Sequence, residues 1–466
     1  MKRALSLLFL LTLVPAAFAA KARPSKQYTI EQFMNTVAVS GASFSPDEKE
    51  ILFSSDETGI RNVYAIPVKG GKARALTTSA TDTTTAVSYF PNDTRFLYTR
   101  DQGGNELNHL YVREKDGSER DLTPGEKLKA GFAGWSGDKK SFFVISNERD
   151  PKYFDLYRYD AGTYERKLIF KNESGYDPSG ISRDGRWLAL AKPLGTADND
   201  LYVQDIEKNV IRKISEHKNR AEFNAQDFDP SSKWLYFTTN DGSEFSHLWR
   251  YDLGTGKFDE VEKADWDITN AWFSDSGRYR MTVLNEDAHT VVKVLDVKTG
   301  KSVTLPKFPG ANINSVKFSP SDKLMTLYVD ADRAPSNLYV HDFNTGKTTK
   351  LTDTLSKDVD AEDLVDAEVV RFKSFDGMVI PGILYKPLQA SATVKVPAIV
   401  MVHGGPGGQA RRGYKYSAQF LANHGYVVLD INNRGSSGYG KTFYVADDRK
   451  HGREPLWDCV EAKKYL

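Results

Sequence analysis

From about residue 40 to residue 352, short apolar runs and polar turns alternate along the chain on a single period. In each unit an aromatic or apolar residue precedes a Ser/Asp-Pro-like turn and a short strand. A second strand follows about twenty residues later. The first unit reads Phe44-Ser45-Pro46-Asp47, then Ile51-Leu52-Phe53, then Val63-Tyr64-Ala65-Ile66. The fourth reads Ile181-Ser182-Arg183-Asp184-Gly185, then Trp187-Leu188-Ala189, then Leu201-Tyr202-Val203. The anchors Phe44, Phe90, Trp135, Ile181, Phe228, Phe273 and Phe318 are spaced by 46, 45, 46, 47, 45 and 45 residues. Short strands on a period in the mid-forties predict a β-propeller with four strands per blade, and seven anchors predict seven blades. One blade cannot bury both of its faces, so the repeated aromatic positions are expected to form core between neighbours. Function would then come from rim loops. One candidate is Asp101-Gln102-Gly103-Gly104-Asn105-Glu106, a polar connection in the second unit.

The period ends near Thr352, and the pattern changes. Residues 353–366 are acidic, lack turn anchors, and read as a linker. Residues 369–375 and 378–385 flank Asp376-Gly377, a hairpin signal. Residues 397–402 form a nearly continuous apolar run, which predicts a strand buried on both faces. Residues 414–424 read as a helix ending at Gly425. Residues 426–431 read as a second buried strand. Residues 454–466 read as a helix with Leu456, Cys459, Val460 and Tyr465 inward. This alternation predicts an α/β sheet with parallel strands.

The first residues change the picture of where the chain resides. Lys2 and Arg3 precede an apolar run over 4–14, and Ala17-Phe18-Ala19 supplies small residues at a cleavage spacing. Residues 1–19 are thus expected to be a signal peptide cut after Ala19, with 20–39 an N-terminal segment. The mature chain is expected to be secreted or periplasmic, with no membrane attachment after cleavage. Removing Lys2 and Arg3 turns the formal charge from +1 to −1, which argues against nucleic-acid binding. The single cysteine, Cys459, cannot form an internal disulfide. No His/Cys cluster has metal-ligand spacing, and no phosphate-binding glycine loop occurs, so neither a metal nor a cofactor is expected.

Three motifs then stand in order behind the propeller. They are Phe375-Asp376-Gly377 with Ile380-Pro381-Gly382, then His403-Gly404-Gly405-Pro406, then Asn433-Arg434-Gly435-Ser436-Ser437-Gly438-Tyr439-Gly440. Together with the propeller they resemble the prolyl oligopeptidase family of serine peptidases, in its acylaminoacyl-peptidase and bacterial dipeptidyl-peptidase-like branch. The resemblance implies a mainly β chain: a seven-bladed β-propeller over 40–352, followed by the N-terminal part of an α/β-hydrolase domain over 367–466. It implies that His403, Gly404, Gly405 and Pro406 form an oxyanion loop, with the Gly405 N–H as one donor and His403 orienting the loop. Such fixed N–H groups stabilise the charge of a tetrahedral intermediate. Asn433, Arg434, Gly435 and Tyr439 would belong to a loop beside the active site.

In this family the catalytic Ser, Asp and His follow the oxyanion loop in that order. No segment here meets the nucleophile-elbow pattern. Gly134-Trp135-Ser136-Gly137-Asp138 lacks the closing glycine and sits on a repeat anchor, and Gly435-Ser436-Ser437-Gly438-Tyr439 fails the same test. The expectation is a C-terminally truncated serine peptidase acting on short peptides, with no catalytic residue in this chain and no activity alone. A disrupted gene, or a separate polypeptide completing the hydrolase domain, would give the same sequence. The alternative is a non-catalytic periplasmic propeller that binds a peptide or protein partner. An esterase on the same scaffold shares the oxyanion chemistry.

Overall fold

The computed structural model describes residues 25–405 and 407–466. The signal-peptide expectation over 1–19 and the placement of Pro406 therefore lie outside the described residues. Seven four-stranded antiparallel sheets, each a meander in sequence order, make up the repeat region. Their first strands are Val39–Phe44, Thr84–Tyr89, Ala130–Trp135, Asp177–Ile181, Phe223–Phe228, Asp267–Phe273 and Ala311–Phe318. The fold is a seven-bladed β-propeller, as the period predicts.

The anchors close or directly follow these first strands, and the turn that comes next explains the Ser or Asp after six of the seven, Phe90 being followed by Pro91. Ser45 Oγ accepts from Glu50 N at 3.0 Å, Ser136 from Ser141 N at 3.0 Å, and Ser182 from Trp187 N at 2.8 Å. Asp229 Oδ1 does the same for Trp234 N at 2.7 Å. Ser274 and Ser319 cap Tyr279 N and Leu324 N at 3.1 and 3.2 Å. The side chain thus satisfies an amide at the start of the next strand, five residues on, that the tight turn leaves unpaired.

Apolar clusters join adjacent blades rather than filling single ones. Phe90, Leu97 and Leu110 of blade 2 pack with Phe142, Val144 and Tyr159 of blade 3. The ring closes between blades 7 and 1, where Tyr328, Leu338 and Val340 meet Phe44, Ile51 and Phe53. No strand is exchanged between these two blades. Instead Glu48 accepts hydrogen bonds from Ser321 N at 2.6 Å and Ser321 Oγ at 2.7 Å.

The acidic stretch 353–366 is not a loose tether. Val359, Leu364 and Val365 are buried, and the first two pack on Tyr28 and Phe33 of the N-terminal segment. Phe33 in turn meets Phe420 of helix Tyr416–Asn423 edge-on at 5.8 Å. Crossing and N-terminus are thereby clasped together against the last domain.

That domain holds a four-stranded sheet in the order Ala367–Lys373, Val379–Tyr385, Val427–Ile431, Ala398–Val402. Three expectations need correction. The sheet is mixed: only Ala398–Val402 and Val427–Ile431 run parallel, and the other two pairings are antiparallel. Ala398–Val402 is not buried on both faces. It is the edge strand, with Ala398 and Val402 exposed and the three residues between half-buried. Helix Glu454–Tyr465 turns Leu456 and Tyr465 outward and buries Asp458 and Ala462 instead. Asp458 is bound by the buried Arg434, which sets the helix rotation against its apolar stripe.

Candidate active site

The candidate oxyanion loop leaves the edge strand at Val402 and turns through Gly404 and Gly405, both exposed. Gly405 has φ +55°, in the left-handed region that glycine adopts without strain, and a β-carbon there would meet nothing within 4 Å. The backbone is therefore open to a close approach from outside. Gly408 is the tight position of the turn, since a β-carbon on it would lie 2.8 Å from Gly404 O and 3.0 Å from His403 Nδ1.

His403 holds this loop to the next one. Its Nε2 lies 2.8 Å from Ser436 Oγ, and the Ser436 hydroxyl donates to Asn433 O at 2.6 Å. With that proton committed, Nε2–H donates to Ser436 Oγ; the tautomer follows from the network. A general base needs the opposite direction, taking a proton from the serine. Ser436 is also fully buried. The pair therefore orients the loop and does not form a nucleophile–base couple. A second tie runs from Ser437 N to Gly408 O at 3.0 Å.

Of the residues expected in the adjacent loop, Gly435 and Tyr439 shape it and Arg434 braces it from behind. Gly435 has φ +96°, and a β-carbon there would collide with the Asp447 carboxylate. Tyr439 packs edge-on against Trp266 of the propeller, with ring centres 6.1 Å apart. Burial pushes its phenol up to about 12, so it stays a neutral hydroxyl. Asn433 Nδ2 bonds Arg434 O at 3.0 Å, while its Oδ1 has no partner among the described residues.

Arg434 points into the body of the domain. Its guanidinium donates to Asp458 Oδ1 at 2.9 Å and Oδ2 at 3.0 Å, and to Asp376 Oδ2 at 2.8 Å and Oδ1 at 3.0 Å. Asp458 also accepts from Arg434 N at 2.9 Å and Ser374 Oγ at 2.6 Å. Burial works against the arginine's charge, but the hydrogen bonds to Asp458 and Asp376 outweigh it and raise its pKa. The hairpin turn, the loop and the last helix are thus held by one cation.

Asp376 gives this clamp a pH dependence. Hydrogen bonds from Arg434 hold its carboxyl at about 2, below its ordinary 3.8. A depressed carboxylate stabilises the fold above its ordinary value, and the contribution is lost as pH falls from 3.8 towards 2. Its side chain is 38 % exposed, so solvent screening limits the contribution to under about 1 kcal/mol. Asp376→Asn should melt lower than the parent at pH 6, with the gap closing as pH falls towards 2 in thermal scans. A constant gap would refute the assignment.

Two residues that sequence reasoning passed over are central to the site. Asn432, fully buried, accepts from Ala410 N at 2.7 Å and donates to Ala410 O at 3.0 Å, pinning the end of the oxyanion segment. Its Nδ2 also donates to the Tyr439 hydroxyl at 3.2 Å. The only signal was the tandem Asn432-Asn433 after a buried strand. The other residue is Asp332, in the loop between the second and third strands of blade 7. It accepts from Arg412 Nε at 3.0 Å, Gly413 N at 3.1 Å and Ala367 N at 2.9 Å. Nothing local in the sequence marks it.

The equivalent loop of blade 5 and the end of the second strand of blade 6 also reach the site. Glu244 accepts from Thr442 N at 2.6 Å, and Asn285 Nδ2 donates to Gln409 Oε1 at 2.8 Å. The propeller face carrying the second-to-third-strand loops therefore covers the loops 403–413 and 432–444. The candidate loop 101–106 lies in that position on blade 2. It is partly self-capped, with Asn105 Oδ1 accepting from Leu107 N at 3.0 Å and Asp82 from Gly103 N at 2.9 Å. Ser136, the first elbow imitation, sits in a blade 3 turn with its hydroxyl donating to Asp138 at 2.6 Å. Among the described residues no group of three His, Cys, Asp or Glu could hold a metal ion.

The N-terminal β-propeller domain of prolyl oligopeptidase matches residues 77–354, and the prolyl oligopeptidase family matches residues 412–466. The chain belongs to the prolyl oligopeptidase family. Among relatives within it, dipeptidyl aminopeptidase BIII of Pseudoxanthomonas mexicana is 29 % identical over 90 % of this chain and 63 % of its own length. The prolyl endopeptidase of Elizabethkingia meningoseptica is 21 % identical over 90 % of this chain and 60 % of its own. The chain thus spans less than two thirds of the length of these relatives. A puromycin-hydrolyzing peptidase of Mycobacterium tuberculosis shares the fold, with a TM-score of 0.77 at 14 % identity over 97 % of this chain and 74 % of that one. An acylaminoacyl peptidase of Pyrococcus horikoshii gives a TM-score of 0.67 at 16 % identity over 94 % of this chain and 72 % of that one.

Proposed function

We propose that this chain is the propeller and oxyanion portion of an exported serine peptidase that hydrolyses short peptides through an acyl-enzyme. The observation that carries the reading is the open, exposed Gly404–Gly405 backbone beneath the propeller, held by His403 to the 433–440 loop. In acyl transfer such a backbone presents N–H groups to the oxygen that becomes negative. The propeller face over it would restrict entry to short, unfolded peptides. The names of the relatives, a dipeptidyl aminopeptidase and a prolyl endopeptidase, support a peptide substrate.

The serine, the acid and the base would come from polypeptide that pairs with the open edge of Ala398–Val402. That strand has one neighbour among the described residues, and Val402 is 51 % exposed. An apolar parallel strand favours neighbours on both sides. Residues 20–466 on their own are then expected to be inactive, in the periplasm or outside the cell.

The test is the intact mass of the native mature protein from its source after fluorophosphonate treatment. A native polypeptide or complex larger than residues 20–466, carrying one adduct, is the expected result. A mass matching residues 20–466 with no adduct would overturn the reading in favour of a peptide-binding propeller.

A further inference from the structure

Arg411 stands apart from the other arginines at the domain interface. Arg371 pairs with Asp287 and Arg412 with Asp332. Arg411 instead donates to two neutral acceptors, Gln409 Oε1 at 2.8 Å and Thr290 Oγ1 of blade 6 at 2.8 Å. It makes no ion pair with a carboxylate among the described residues. Burial disfavours its charge and pushes its pKa down, with the opposing pull of Tyr439 and Asp330 too weak to restore it. Asp330 is a poor counter-ion, because its own burial raises its pKa towards the neutral acid.

Two more polar atoms beside it have no partner among the described residues. They are Gln409 Nε2, a donor, and Asn285 Oδ1, an acceptor on a side chain that is 5 % exposed. Leaving such a buried group unpaired is unfavourable, because it has given up its water without a replacement partner. Both side-chain amides converge on Gly438, where a β-carbon would collide with each. The next residue is Tyr439, and the preceding one, Ser437, is hydrogen-bonded to the oxyanion segment at Gly408 O. The cluster therefore lies beside the loops that would receive a peptide.

We propose that Arg411, Gln409 Nε2 and Asn285 Oδ1 form a subsite for a peptide carboxylate that has a backbone N–H next to it. The carboxylate accepts from the guanidinium and from Gln409, and the neighbouring N–H donates to Asn285. This arrangement supplies the missing counter-charge and satisfies both orphaned atoms. The group with a carboxylate and an N–H on the same residue is the C-terminal residue of a short peptide; an acidic side chain offers the same carboxylate from a second source. The inference rests on the peptide-binding reading above and adds to it a preference for anionic peptides.

The test is isothermal titration of the full chain with N-acetyl-trialanine as free acid and as carboxamide. A second pair carries Glu or Gln at the middle position of the carboxamide. The free acid should bind about tenfold more tightly than its carboxamide. A Glu-over-Gln preference without the C-terminal one would place the carboxylate on a side chain instead and overturn the role of Asn285. Arg411→Gln should abolish the acid preference, and Arg411→Lys should retain part of it. Gln409→Glu leaves the arginine in place but gives it an internal counter-ion, so it should abolish the preference as well. Equal binding of acid and carboxamide by the parent chain, or a preference that survives in both Arg411→Gln and Gln409→Glu, overturns the subsite alone. Absence of binding by every peptide overturns the peptide reading and the subsite with it.

Discussion

Asp458→Ala should lower the stability of the C-terminal domain by about 3–5 kcal/mol, the range for removing one partner of a buried ion pair. Asp458 is fully buried and accepts from the Arg434 side chain, the Arg434 backbone and Ser374 Oγ. Alanine would leave a guanidinium that is 3 % exposed paired only with Asp376, whose side chain is half in solvent. It would also orphan the Ser374 hydroxyl and a backbone amide. Three of the four described helices, including Tyr416–Asn423 and Glu454–Tyr465, belong to this domain. Urea unfolding followed by the helical circular dichroism signal therefore reports on it. Replacing both partners, Arg434→Met with Asp458→Leu, should recover much of the loss, since no charge is then left buried alone. A midpoint for Asp458→Ala equal to the parent's would show that the clamp contributes nothing.

Asp332→Ala should uncouple the two domains. One carboxylate, 2 % exposed, gathers the Arg412 guanidinium and the backbone amides of Gly413 and Ala367, and Gln419 Nε2 bonds the Asp332 carbonyl at 2.8 Å. These contacts tie the hydrolase hairpin, the segment after the oxyanion loop and helix Tyr416–Asn423 to a single propeller loop. Alanine leaves the Gln419 bond to the carbonyl in place, but a half-buried arginine and two amides lose their acceptor, a loss of about 3 kcal/mol at the interface. Calorimetry should then resolve two transitions where the parent gives one, and trypsin should cut within 353–366 faster. A single unshifted transition would mean that the apolar clasp of Tyr28, Phe33 and Leu364 suffices to hold the domains together.

The propeller was legible in the sequence because each repeat writes its own local physics. The anchor must be apolar to fill the seam with the next blade, and in six of the seven repeats the next residue is a Ser or Asp that caps an amide five residues on. Those demands recur every mid-forties interval, so Phe44, Phe228 and Phe318 could be placed without coordinates. The glycine run after the edge strand marked a turn in the sequence, and the chain does turn there, with Gly405 at φ +55°. The last helix was misread where a local rule met a long-range one. Its apolar stripe pointed Leu456 inward, but Asp458 is committed to Arg434, 24 residues away, and the ion pair set the rotation.

Arg434 shows the same limit, since its motif placed it in the correct loop but not on the inner side of it. Asp332 carries no local mark and Asn432 only the tandem Asn432-Asn433, because their partners lie far off in sequence or are plain backbone atoms. What local chemistry demands of each residue therefore decided the period, the blade number and the glycine turn. Which charges meet, which edge stays open and how the domains lock depended on contacts between distant segments. Those contacts repeat no pattern, so only the folded chain could place them.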